Sequence, residues 1–365
     1  MALQLGLVGL PNVGKSTLFN ALTLAGAAVA SYPFTTIEPN VGVIPVRDAR
    51  LERIAEIIQP EKVTPTTLRV VDIAGLVKGA NRGEGLGNQF LAHIRTVDAI
   101  AMVVRCFEDA DIPHVTPYLD PIEDIETVNL ELILADLALL ERHLERVRAQ
   151  AKAHPREYQE QIEGLEAIAA GLRQGVPLRR QPLEAEQRAF IKHLDLLTDK
   201  PMIYVANVSE NALPEGGALA QAVVERARQE GVEAVVLCAA LEAEIATWER
   251  EEALAYLREV GLEAPGLDRF VWLGYRLLDL VTFFTTTGGK EVRAWTLRRG
   301  QTALEAAATI HTDLAKGFIR AEVVSYHDLD ACGSLAKARE RGLLRLEGRE
   351  YIVQDGDIIH IRFNV

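Results

Sequence analysis

A doubly wound α/β domain, interrupted by a helical coiled-coil hairpin and followed by a small α+β domain, is the fold this sequence predicts. Three observations predict it. Short apolar runs alternate with helical patterns, as in a parallel sheet covered by helices. A glycine-rich phosphate-binding pattern joins the first of these runs to a helix. Two apolar stripes spaced by threes and fours then separate the third run from the later ones.

The elements follow in order. Residues 3 to 9 run or alternate apolar like a strand, break at Pro11-Asn12, and resume as the helical stretch Ser16 to Leu24. Leu68 to Ile73, Ala99 to Val104, Met202 to Val205 and Ala234 to Leu237 are further strands, each bounded by polar or Gly-containing turns. Leu130, Ile133, Leu137, Leu140, Leu144 and Val147 form a coiled-coil seam flanked by Glu141, Arg142, Glu145 and Arg146. Ile162, Leu165, Ile168 and Leu172 give a second stripe after His154-Pro155. Together these predict an antiparallel hairpin, extended by Leu183 to Leu197, that is either plain helix packing or a contact arm. From Leu280 onward, Val292 to Leu297, Ile319 to Val324 and Tyr351 to Phe363 are rich in β-formers, and Ala303 to Ile310 reads as a helix. The expected division is 1–129 with 198–279 for the nucleotide domain, 130–197 for the helical insertion and 280–365 for the last domain.

Bulk properties agree with several soluble domains. The 365 residues exceed what one core usually serves. With 48% hydrophobic and 25% charged residues, and no run of roughly 18 apolar residues, no membrane partner is expected. The N-terminus lacks the basic start of a signal peptide, so a cytoplasmic location is expected. Cys106, Cys238 and Cys332 are far apart and form no CxxC pair, which argues against disulfides or a zinc site. A net charge of -13 argues against general adhesion to nucleic acid. A local basic face remains open near Arg293, Arg298, Arg299, Lys316 and Arg320; of these, Arg293, Arg298 and Arg299 either contact phosphates or pair with Glu291 or Glu305.

"GLPNVGKST", Gly9 to Thr17, fits the P-loop pattern in the context that gives it meaning, after a strand and before a helix. Gly9 and Gly14 allow the backbone to wrap a polyphosphate, so Asn12, Val13, Gly14, Lys15, Ser16 and Thr17 are nucleotide-binding candidates. Lys15 brings a full charge to the β- and γ-phosphates, and Ser16 is a ligand for Mg2+. Asp72 opens Asp72-Ile-Ala-Gly75, in which the carboxylate holds the metal shell and the Gly75 N–H senses the γ-phosphate. The glycine-rich stretch from Gly75 to Asn88 suits a segment that rearranges when that phosphate leaves. Thr36 in "YPFTTIEPN", with Thr35 as the alternative, is the expected hydroxyl ligand of a first switch.

Those motifs, with "VVDIAGLVKGANRGEGLGNQFL", "NVSE", "EVRAWTLRRG" and "YIVQDGDIIHIRFNV", closely resemble the YchF subfamily of Obg-like translation-factor ATPases over essentially the whole chain. The resemblance implies a Ras-like P-loop domain, a coiled-coil insertion and a C-terminal TGS domain. It also implies hydrolysis of ATP in preference to GTP, and association of a monomer with the 50S or 70S ribosome. Ribosomal RNA contact through the TGS-like domain is a further implication. The base-reading segment agrees. Where a guanine site carries Asn-Lys-x-Asp, this chain has Asn207-Val208-Ser209-Glu210, so Asn207 can orient a ring while Val208 and Glu210 do not rebuild the guanine clamp. The position after Gly75 is Leu76, which does not orient water. The resemblance suggests His114 as the replacement and Asn12 as a ligand of an activating K+ beside the phosphates. The plainer alternatives are an exposed loop histidine and an asparagine that closes a turn. Competing functions are a GTP-driven ribosome-assembly factor and a ribosome or RNA adaptor with negligible turnover.

Overall fold

The computed structural model describes residues 3–29, 40–73, 86–115, 118–152 and 154–364. The chain divides into two compact units, Met1–Val43 with Arg69–Gly274, and Ile44–Leu68 with Tyr275–Val365.

The first unit is built on a six-stranded sheet in the order Val41–Pro45, Thr67–Asp72, Gln4–Val8, Ala99–Cys106, Met202–Val208 and Glu233–Leu237. Gln4–Val8 pairs in parallel with Thr67–Asp72 on one side and Ala99–Cys106 on the other. Ala99–Cys106 and Met202–Val208 are buried at every position, as central parallel strands covered on both faces require. The chain leaves Gln4–Val8 and adds strands first to one side and then to the other. The order therefore reverses at the carboxyl end of that strand, where α/β sheets open a ligand crevice.

The helical insertion is a hairpin of Pro121–Ala151 and Pro155–Arg173. Asp120 caps the first helix by accepting from the N–H groups of Ile122 (2.9 Å) and Glu123 (3.2 Å), and Pro121 occupies its first turn. Leu140, Leu144 and Val147 meet Leu165, Ile168 and Leu172 in one core, the two stripes read from the sequence. The helix starts earlier than the stripe suggests, because Ile125 and Val128 are also buried. The chain returns through Asp136, which is fully buried and accepts from Leu197 N (2.9 Å) and Thr198 N (2.7 Å).

Glu242 supplies a pH dependence. Its carboxyl accepts from the Gly266 N–H at 2.6 Å, its other oxygen is buried without a hydrogen-bond partner, and burial pushes its pKa up from 4.5 to about 7. From about pH 4.5 to about 7 the folded chain keeps a proton that the unfolded chain releases. Stability therefore falls as pH rises through that window and levels off above it. The loss attributable to this group is on the order of 3 kcal/mol. Glu242→Gln is expected to flatten this part of the stability–pH curve, measured by urea midpoints between pH 5 and 8.

The second unit holds another six-stranded sheet, in the order Arg345–Glu347, Phe318–Ser325, Asp357–Phe363, Leu280–Thr287, Glu291–Arg298 and Lys62–Thr64. Successive residues point to opposite faces, so Phe283, Val323 and Ile359 join one core while Phe284, Val324 and Ile358 join the other. Helix Ala303–Ile310 covers the first face. It opens on a Thr302–Glu305 capping box.

Residues 44–68 correct the expected division, which assigned them to the nucleotide domain. Helix Ala49–Ile58 buries Leu51 and Ile54 in the core of Phe284, Val324 and Ile358. Lys62–Thr64 pairs in parallel with Glu291–Arg293, and Thr64 Oγ1 donates to Glu291 at 2.6 Å. Arg50 bridges Asp48 and Asp355, each at 2.8 Å. A three-residue strand has too little periodicity to be read, and its partner lies far along the chain.

Candidate functional site

The P-loop is shaped by contacts that only glycine tolerates at two positions. A Cβ on Gly9 would lie 2.6 Å from the Val103 carbonyl oxygen. Gly14 has φ +86°, and a Cβ there would lie 2.1 Å from Asn207 Nδ2. Between them Asn12 takes the left-handed conformation (φ 63°), which asparagine accepts better than most residues. Its amide donates to the Pro113 carbonyl at 3.0 Å. Helix Lys15–Val29 then begins, with Lys15 buried and its ammonium paired to Asp72. Ser16 Oγ donates to the other Asp72 oxygen at 3.2 Å. The strands Gln4–Val8 and Thr67–Asp72 run side by side in register, so the end of one delivers Lys15 and Ser16 to the end of the other.

Beside this cluster is a cavity of about 700 Å3 lined by the P-loop, by Phe107, Glu108, Asp109 and Ile112, by Asn207 to Glu210, and by Cys238 to Ala240. Asn207, 4% exposed, joins its parts: Nδ2 donates to the Val13 carbonyl and Oδ1 accepts from the Ala239 N–H, both at 2.9 Å. Val208 is buried, and the Glu210 carboxylate accepts from the Tyr256 hydroxyl. Val13 is itself buried and contributes through its backbone. All three cysteines are free and buried, and burial pushes the Cys238 thiol above its ordinary pKa, so a thiolate role is disfavoured.

Of the proposed site residues, the structure brings together Asn12, Gly14, Lys15, Ser16, Thr17, Asn207, Val208 and Glu210 around the cavity, with Asp72 held by Lys15 and Ser16. Thr36, its alternative Thr35, Gly75 and Leu76 lie outside the described residues. His114 is not among the cavity residues. Its Nε2 lies 3.0 Å from Asp124 Oδ2, with both side chains nearly buried. Burial raises the Asp124 carboxyl above the usual range, against the hydrogen bond from His114. In the second unit Arg299 pairs with Asp279 at 3.0 Å rather than with Glu291 or Glu305, Arg293 lies 4.0 Å over the Trp295 ring, and Arg298 is exposed.

Arg105 went unread in the sequence. It is the penultimate residue of the otherwise apolar strand Ala99–Cys106 and is buried, with its guanidinium among carbonyls: Phe107 at 3.1 Å, Ile112 at 2.9 Å, Asp109 and Asn12 at 3.4 Å. It also lies 4.6 Å over the Phe107 ring. A charged residue inside such a run, "AMVVRCF", was the available signal. Arg105→Met, which keeps the stem and removes the donors, is expected to open the loop 107–113 to limited proteolysis while Met202–Val208 keeps its hydrogen-exchange protection.

Among the described residues no group of three or more His, Cys, Asp or Glu could hold a metal. The adjacent Ser16 and Asp72 oxygens are hard donors of the kind Mg2+ takes, and Mg2+ in phosphate sites needs only one or two protein ligands. The donor set therefore fits Mg2+.

Known proteins resemble this chain along its whole length. A family model described as "50S ribosome-binding GTPase" matches residues 4–135. A second, for the C-terminal domain of YchF GTPases and described as "Protein of unknown function (DUF933)", matches residues 280–364. The chain is 51% identical over 367 residues to the "Ribosome-binding ATPase YchF" of Bacillus subtilis (strain 168). It is 53% identical over 365 residues to that of Haemophilus ducreyi (strain 35000HP / ATCC 700724), with 100% of both chains covered in each case. The solved Schizosaccharomyces pombe YchF GTPase superposes with a TM-score of 0.89 at 36% identity, over 99% of this chain and 97% of that one. Similarity that runs end to end, through the P-loop and both units, means that this chain belongs to the YchF family.

Proposed function

We propose that the chain is a Mg2+-dependent ATPase, converting ATP to ADP and phosphate, whose nucleotide state controls binding to the ribosome. One observation carries this reading: a complete phosphate cluster of Lys15, Ser16 and Asp72 adjoins a cavity whose base end has Val208 for the lysine and a Tyr256-bound Glu210 for the aspartate of a guanine clamp. The names of the full-length relatives support both the nucleotide and the ribosome.

Lys15 binds the β- and γ-phosphates, and the P-loop N–H groups with the start of helix Lys15–Val29 orient them. Ser16 and Asp72 would hold the metal; Thr36 and the Gly75 N–H, which the sequence adds to this set, lie outside the described residues. When bound, Mg2+ would supply positive charge that offsets the negative charge of the phosphates. Asn12, whose Nδ2 is engaged by Pro113, offers Oδ1 to an activating K+. His114 orients the attacking water once its bond to Asp124 opens. His114→Ala is expected to lower single-turnover rate much more than ATP affinity, and equal rates remove it from the mechanism.

No helix among the described residues is long and apolar enough to cross a membrane. A cytoplasmic monomer that meets the 50S or 70S ribosome partly through RNA contacts of its C-terminal unit completes the reading. Arg293, Arg298 and Arg299 are the phosphate-contact candidates. The test is co-sedimentation with ribosomes across a salt series, together with phosphate release from ATP in K+ or Na+. Nucleotide-dependent binding and faster release in K+ support the proposal. Binding that ignores nucleotide, with no turnover, contradicts it.

A further inference from the structure

The carboxylate of Glu210 stands where a guanine-reading site would place its acceptor, yet it is engaged by a residue 46 positions further along the chain. Tyr256 lies on helix Arg250–Glu259, which is anchored by the buried Ala253 and Leu257. Its ring meets Trp248 edge to face, with centroids 5.5 Å apart at 71°. Its hydroxyl donates to Glu210 Oε1. The backbone of Glu210 is fixed as well, because its carbonyl accepts from Leu213 N at 3.0 Å in the short turn Glu210–Ala212. Tyr256 is not among the cavity residues, whereas Glu210 is.

We propose that Tyr256 is a specificity-determining positioning residue, which holds the Glu210 carboxylate off the base and so selects adenine over guanine. The inference rests on the ATP reading above and adds the residue that enforces it. Guanine presents two donors, N1–H and the exocyclic amine, and a carboxylate pairs with both only if its two oxygens face the ring together. A carboxylate tied by one oxygen to a phenol is not so oriented. Adenine presents an acceptor at N1, which a freely facing carboxylate repels. One hydrogen bond therefore removes an attraction for guanine and a repulsion for adenine. Side-chain length alone, Glu for Asp, does neither, since an untethered glutamate can swing to the base.

The test is calorimetric titration of Mg·ATP and Mg·GTP into the full-length wild type, Tyr256→Phe, Tyr256→Leu, Glu210→Gln and the Tyr256→Phe/Glu210→Gln double variant, with folding checked by circular dichroism. Both Tyr256 variants are expected to shift the ratio of the two dissociation constants about tenfold toward GTP. Adding Tyr256→Phe to Glu210→Gln should produce no such shift, because the carboxylate it releases is gone. A wild type that prefers ATP, with the ratio unmoved in both Tyr256 variants, overturns the role of Tyr256 and leaves the ATP reading intact. The same shift with and without Glu210 also overturns it. A wild type that prefers GTP removes the ATP reading and this inference together.

Discussion

Lys15→Ala is expected to lower kcat/KM for ATP by at least about 10²- to 10³-fold, the scale seen when one preorganised charge-stabilising donor is removed. Its ammonium is buried beneath the P-loop and already held by Asp72, so it sits in a site of low water content where a charge acts strongly. The substitution also leaves Asp72, 14% exposed at the side chain, without its cation. Some loss of stability in the first unit is therefore expected. The two cores of the second unit contain no P-loop residue, and hydrogen exchange there should be unchanged. Hydrolysis at the wild-type rate would show that the P-loop assignment is wrong.

Asn207→Ala is expected to destabilise the first unit by about 2–5 kcal/mol, because it strands two buried backbone groups, the Val13 carbonyl and the Ala239 N–H. The same change unties the P-loop from helix Ala239–Ile245, so nucleotide affinity should fall with stability. Asn207→Asp separates the two bonds. It keeps an acceptor for Ala239 and sets a carboxylate oxygen against the Val13 carbonyl. Urea denaturation measures the first effect and calorimetry with ADP the second. An alanine variant as stable as wild type would mean that Asn207 only touches the base.

What the sequence made legible follows physical range. Gly9, Gly14, Lys15 and Ser16 sit within one strand–loop–helix unit, and their spacing is the chemistry, so the phosphate end of the site was readable. The arm was readable because six apolar positions in steps of three and four, from Leu130 to Val147, override local ambiguity. Residues 44–68 were misassigned because their partners, Glu291 to Arg293 and the core around Phe284, are remote in sequence and no local pattern announces such pairing. Asn207 was read as a base contact. Its buried bonds to Val13 and Ala239 depend on three segments meeting, which no single segment encodes. Arg105 and Tyr256 were missed for the same reason: each acts on a loop elsewhere.

The most direct measurement is the pair of dissociation constants for Mg·ATP and Mg·GTP with the wild-type chain in K+. The account predicts tighter binding of ATP, because Val208 does not cover a guanine ring and Glu210 is held by Tyr256. GTP bound tenfold more tightly, about 1.4 kcal/mol, would contradict it.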